Sequence, residues 1–194
     1  MNNAYSRRRV TASLLALASA GHLPMAWASS DYPKGPIKLV IPYPPGGPTD
    51  LVGRLVAIAM GEALKQTIFV DNKPGASGML GASLVAKAAP DGYTLLANAS
   101  LHVINPSVYD KVPYDSFNDF VPITQIVDVP LVLVVNSEMP VNNVQELIAY
   151  LKKSKGTINF GSAGNASSQH LSGELFKHKT GIAMQHVPYK GSAP

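Results

Sequence analysis

Histidine, serine and glycine are the residue types through which this sequence could do chemistry, and their spacing excludes more than it supports. Four histidines, His102, His170, His178 and His186, lie beyond residue 28, with no pair at i, i+4 and no H-E-x-x-H, so no local metal site is expected. Cysteine is absent, which removes thiolate ligands and disulfides. Ser162 in Gly161-Ser162-Ala163-Gly164 lacks the G-x-S-x-G spacing that presents a serine nucleophile. Ser168 and His170 stand two apart in a helical pattern and would point in different directions, so no Ser/His catalytic pair is expected there. No two glycines are separated by a single residue and no Gly-Lys-Ser/Thr occurs, so the dinucleotide fingerprint and the P-loop are both missing. Gly75, Gly78 and Gly81 suit a helix start and close helix-to-sheet packing better than a phosphate cradle. No catalytic residue, metal or cofactor is expected.

What remains are two loops of small and hydroxylic residues, Pro42 to Asp50 and Gly161 to Ser168, each between a strand pattern and a helix pattern. Ile37 to Ile41 reads as a strand, and Leu51, Val52, Leu55, Ile58 and Ala59 as one face of the following helix, capped by Thr49 or Asp50. The grammar repeats: strand Thr67 to Val70, loop Asn72 to Ser77, helix Gly78 to Ala88, turn Pro90-Asp91-Gly92, strand Thr94 to Ala97. From Asn105 to Asp119 it lapses. Two apolar runs, Phe120 to Val127 and Leu131 to Val135, then flank Pro130, the expected crossing between domains. A helix over Val144 to Lys153 opens on the capping box Asn143/Glu146, and Lys152, Lys153 and Lys155 suit its C-terminal dipole. Strand Ile158 to Phe160, helix Ser168 to His178 and strand Met184 to Val187 complete an alternation that predicts an α/β fold with parallel sheets.

The chain carries 16 basic and 12 acidic residues, but Arg7, Arg8 and Arg9 supply three of the four excess charges. The nearly neutral remainder leaves no basic footprint for nucleic acid. The arginines, the apolar stretch Val10 to Ala20 and Ala26-Trp27-Ala28 form an expected signal peptide, residues 1–28, cleaved near Ala28 for export to the periplasm. Ser6-Arg7-Arg8-Arg9-Val10 approaches a twin-arginine motif with Val10 at the usual Phe position; an ordinary charged n-region accounts for the same residues.

Five segments in order then carry a resemblance: Pro42-Tyr43-Pro44-Pro45-Gly46-Gly47-Pro48-Thr49-Asp50, Asn72 to Gly78, His102 to Pro106, Gly161 to His170, and His186 to Gly191. Together they resemble the Bug (TctC-like) family of tripartite tricarboxylate transporter receptors. The resemblance implies a two-domain, periplasmic-binding-protein-like (type II) α/β fold, incomplete here at the C-terminus, that closes on ligand. A first domain over 29–125 and part of a second over 126–194 are expected, and such a shortened chain is expected to fold poorly alone. The implied function is extracytoplasmic capture of a small carboxylate for a membrane permease; the alternative is a ligand-binding protein that signals to a membrane sensor. Expected contacts are Tyr43, Gly46, Gly47, Thr49 and Asp50 on one side, Ser100 and His102 at the first-domain edge, and Ser162, Ser167, Ser168, Gln169 and Tyr189 on the other. Pro48 stands where the family commonly has a third glycine and removes one N–H donor. Backbone N–H groups near Gly46, Gly47, Ser167 and Ser168 are expected to hold the carboxylate, with Arg54 uninvolved.

Overall fold

Strand β1, Ile37–Ile41, is a run of β-branched and apolar residues, and four of its five side chains are buried. It stops at Pro42, and the chain turns through Gly46, whose φ of 85° is the left-handed region open to glycine. Helix α1, Pro48–Leu64, follows with Gly47 as its N-cap and proline in the first turn, where no N–H is needed. Neither Thr49 nor Asp50 caps it through a side chain. Strand β2, Ile68–Asn72, leads through a 3-10 turn, Ala76–Gly78, into α2, Met79–Ala86, and then β3, Thr94–Leu96. All three strands are parallel in the order β2-β1-β3.

Helix α1 docks through its small face. Gly53 and Ala57 are buried, whereas Leu51, Leu55 and Ile58, the apolar face expected to dock, are 57%, 67% and 62% exposed. Close approach is the reason: a Cβ on Gly53 would lie 2.5 Å from Ile41 Cδ1, so the helix sits so near the sheet that a larger residue would have to displace the Ile41 side chain. Leu39, Ile41, Ala57 and Ala97 form the core on this side; Met79, Ala82 and Tyr114 form a second cluster at α2.

Helix α3, Leu101–Val108, fills the first part of the stretch in which no element was expected, with Pro106 in its last turn. The apolar runs after Phe120 pair with no strand among the described residues and are largely exposed. Helix α4, Val144–Lys153, opens on the expected capping box: Asn143 Oδ1 accepts from Glu146 N–H at 2.9 Å. Strand β4, Asn159–Ser162, helix α5, Ser168–Thr180, and strand β5, Gln185–Pro188, make a second parallel pair beside a core of Leu147, Leu151 and Ile182.

The structure, a computed structural model, describes residues 32–154 and 158–192, and Pro33–Pro194 form one compact unit. The expected signal peptide and Lys155 lie outside the described residues. Among the described residues no helix is long and apolar enough to cross a membrane.

Candidate functional site

In the order β2-β1-β3, one crossover leaves β1 toward β2 while the next passes over β1 to β3. Where the order of parallel strands reverses in this way, a crevice forms at the C-terminal ends of the adjacent strands, here β1 and β3. The segments after these two strands carry Tyr43, Gly47 and Thr49, and Asn98, Ala99 and Ser100. They line a cavity of about 540 Å3 whose opposite wall comes from the loops after β4 and β5, with Ala163, Ser167, Ser168, Gln169 and Gly191. Ser100 Oγ and Ser168 Oγ meet across it at 2.7 Å.

Of the residues expected to bind ligand, Tyr43, Gly47, Thr49, Ser100, Ser167, Ser168 and Gln169 line this cavity. Gly46, Asp50, His102, Ser162 and Tyr189 do not, and each has a physical reason. Asp50 is 3% exposed and turned inward: Oδ2 accepts from Gly46 N–H at 2.9 Å and Arg54 Nε at 3.0 Å, and Oδ1 from Asn72 Nδ2 at 2.9 Å. The Arg54 hydrogen bond, with those from Gly46 and Asn72, outweighs burial and holds its carboxyl at about 2. Gly46 N–H is thus already spent on Asp50.

His102 packs beneath the wall, stacked on Tyr114 at 5.1 Å and edge-on to Phe120 at 4.6 Å. Its Nε2 lies 3.3 Å from the Ser116 carbonyl and its Nδ1 3.2 Å from Asn98 Nδ2, a pattern that suits the neutral ring with its proton on Nε2. Burial lowers its pKa, opposed by the Ser116 carbonyl. Asn98 accepts from Tyr43 Oη at 2.6 Å and from Ala99 N–H at 2.8 Å, fixing the β3 loop; burial pushes the Tyr43 phenol pKa up.

Ser162 Oγ lies 2.6 Å from His186 Nε2 and 3.1 Å from the Gly164 carbonyl, and accepts from Gly164 N–H at 3.1 Å. The serine is 6% exposed and does not line the cavity, so the pair shapes a loop and presents no nucleophile to a substrate. Tyr189 packs its ring beside Gly161, where a Cβ would lie 3.3 Å from Cε2. His186 Nε2 is brought to Ser162 and its ring to His170, long-range meetings that no local spacing announces.

Both helix starts face the cavity. Thr49, Ser168 and Gln169 line it, and their N–H groups lie in first turns where no intrahelical acceptor exists. Ser167 N–H is already bonded to the Gly164 carbonyl at 3.2 Å, so the donors sit one residue further along than expected at this loop. Asp128 is the single formally charged residue lining the cavity among those described; sequence reasoning missed it because it lies between the two apolar runs, in a stretch without periodicity. Such a cavity offers hydroxyls and backbone dipoles to an anion and no cation.

Residues 52–194 match the profile of the tripartite tricarboxylate transporter family receptor. Protein BugT of Bordetella pertussis is 39% identical over 86% of this chain and 52% of its own length. Among solved structures, R. palustris Rpa4515 with adipate is 40% identical with a TM-score of 0.80, over 84% of this chain and 55% of that one. MatC (Rpa3494) from Rhodopseudomonas palustris with bound malate is 31% identical with a TM-score of 0.73, over 82% and 55%. The chain spans about half the length of the relatives it matches. With parallel strands ending at a crevice lined by two helix starts, and the family match running from α1 to the end of the chain, this chain belongs to the tripartite tricarboxylate transporter receptor (TctC, Bug-type) family.

Proposed function

We propose that the protein is an exported solute-binding receptor that captures a small carboxylate between its 29–125 and 126–194 portions and delivers it to the permease of a tripartite transporter. The observation that carries the reading is the pair of helix N-termini, at Pro48 and Ser168, converging on one cavity that holds no cationic side chain among its described lining residues. Two relatives of matching fold hold adipate and malate, both dicarboxylates. Helix starts supply oriented N–H donors and a partial positive charge, which suits a carboxylate. Each charge-assisted hydrogen bond contributes roughly 1.5–3 kcal/mol, so four could supply the about 8 kcal/mol of a micromolar complex before ordering costs. Removal of residues 1–28 during export belongs to the same reading.

Calorimetry with adipate, malate and the uncharged diamide of adipate tests it. Binding of at least one dicarboxylate and none of the diamide is expected. Ser168→Ala should weaken binding by about 1 kcal/mol, the worth of one hydrogen bond. Gly47→Pro should weaken it more, since it deletes a donor and strains Gly46 beside it. Equal affinity for the diamide, or unchanged binding in both variants, would sink the reading.

A further inference from the structure

With one carboxylate of the ligand at the two helix starts, the proposed function on which this inference rests, the remaining wall decides what the other end of the ligand carries. Asp128 is the one formally charged side chain on that wall among the described residues. It stands between Val127 and Val129, in the segment from Thr124 to Leu131 that belongs to no helix or strand. Its carboxylate makes no hydrogen bond or ion pair with another described residue. Asp50 is the contrasting case, turned inward and used up by the Gly46 amide, Arg54 and Asn72. Asp128 is used up by nothing, and no cap, turn or helix end at its position calls for an acid.

The surroundings give that charge its reach. Ile126, Val127, Val129 and Leu131 line the same stretch of wall. Apolar neighbours offer an ion no hydrogen bond and screen it less than water does, so a charge brought close is felt more strongly. Lysine, arginine and histidine are absent from the described lining, so the wall brings no counter-ion of its own. The cavity thus has two electrostatic ends. Thr49, Ser168 and Gln169 present first-turn N–H donors and the positive poles of two helices, and the 124–131 segment presents a carboxylate. A volume of about 540 Å3 is of the size that encloses a small molecule whole, so both ends act on one ligand. A dicarboxylate placed there is attracted by the helix starts and repelled by Asp128. An ammonium group in place of its second carboxylate turns the repulsion into a pair.

We propose that Asp128 is a specificity-determining residue, which selects a ligand carrying an ammonium group beyond its carboxylate over one carrying a second carboxylate. Asp128 is itself exposed, so water screens each contact to the range of a surface ion pair and the selection is graded. Two such terms act together, since attraction to the amine and repulsion of the acid are both lost when the charge is removed.

Calorimetry at neutral pH compares dicarboxylates with amino acids built on the same methylene chain: succinate with β-alanine, glutarate with 4-aminobutyrate, and adipate with 5-aminopentanoate. Each is titrated into wild type, Asp128→Asn and Asp128→Lys. In wild type the amino acid of at least one pair should bind more tightly than its dicarboxylate, with the matching ω-hydroxy acid, neutral at that end, between them. That order needs no variant to fold. Asp128→Asn should weaken the amino acid and strengthen the dicarboxylate, so that the ratio of their affinities falls about threefold to tenfold. Asp128→Lys should carry the ratio further the same way. Movement of two ligands in opposite directions marks a charge effect, because a loosened fold would weaken both. A wild type that prefers the dicarboxylate in every pair, or a ratio that neither substitution changes, would overturn the proposal. If dicarboxylates bind and Ser168→Ala weakens them while the ratio ignores Asp128, the carboxylate site stands and the selecting role falls. If no compound of any pair binds, the proposed function falls and the role of Asp128 falls with it.

Discussion

Asp50 shows how one side chain can shape a cavity that it does not line. Its carboxylate ties the Gly46 amide, Arg54 and Asn72 together, so the loop after β1 and the end of β2 share one anchor. Asp50→Ala leaves three donors without their acceptor and should cost about 2–4 kcal/mol, mostly the cost of orphaned groups. Asp50→Asn should cost less, because one oxygen remains. The acid limb follows from the carboxyl held at about 2 against the ordinary 3.8. With the folded pKa below the unfolded one, the unfolded state binds protons first as pH falls. The stabilisation is complete above about pH 4 and drains away toward about pH 2. After discounting for Arg54, which is 48% exposed, about 1 kcal/mol of pH dependence should be visible in urea titrations at neutral and acid pH, and absent in Asp50→Asn. Equal acid sensitivity in both proteins would show that the network contributes no net stability.

At the scale of elements, glycine decides how close helices come to the sheet. On Gly81 of α2 an added Cβ would meet Pro42 Cβ at 2.8 Å and the Lys73 carbonyl oxygen at 2.9 Å, one of them backbone and neither able to swing aside. On Gly53 of α1 the nearest atom is the Ile41 δ1 methyl, the far end of a side chain that can change rotamer. Alanine improves helix propensity by about 0.8–1 kcal/mol at either position, while overpacking costs about 1–3 kcal/mol. Gly81→Ala should therefore destabilise by about 1–2 kcal/mol and Gly53→Ala by less, and urea midpoints would rank them. The reverse order would mean that Ile41 has no rotamer to move into. These contacts also place the loop that carries Gly47, since Pro42 and Ile41 lead directly into it.

For the whole molecule the stretch after Phe120 leaves several large apolar side chains exposed. Val121, Ile123, Val132 and Val134 are 89%, 77%, 79% and 79% exposed, and the α1 stripe of Leu51, Leu55 and Ile58 adds to them. Each sheet also leaves outer strand edges unpaired among the described residues. Apolar runs that pair with nothing attract dyes and other chains. The 194-residue chain should bind 1-anilinonaphthalene-8-sulfonate strongly and associate as its concentration rises, and Val132→Lys with Val134→Lys should reduce both. A dye-silent monomer with a sharp thermal transition would show that these runs find a cover in solution.

The sequence by itself determined the strand-loop-helix grammar, because β-branched runs, proline and glycine turns, and caps such as Asn143/Glu146 act over a few residues. It also placed Tyr43, Gly47, Thr49, Ser100 and Ser167 to Gln169, which line the cavity, since they follow strand ends and open or precede helices. Helix α3 escaped because Pro106 interrupts its pattern in the last turn, where a helix tolerates it. Tertiary structure alone decided which face of α1 is buried: hydrophobicity pointed to leucines, and the distance to the sheet demanded glycine and alanine. It likewise turned Asp50 inward, set Ser162 against His186 and laid His170 on His186, because those partners lie 16 to 24 residues apart or form a network across β1, α1 and β2. Spacing along a chain reports neighbours on one helix or strand; it carries no information about which side chains two parallel strands and the helix between them bring face to face.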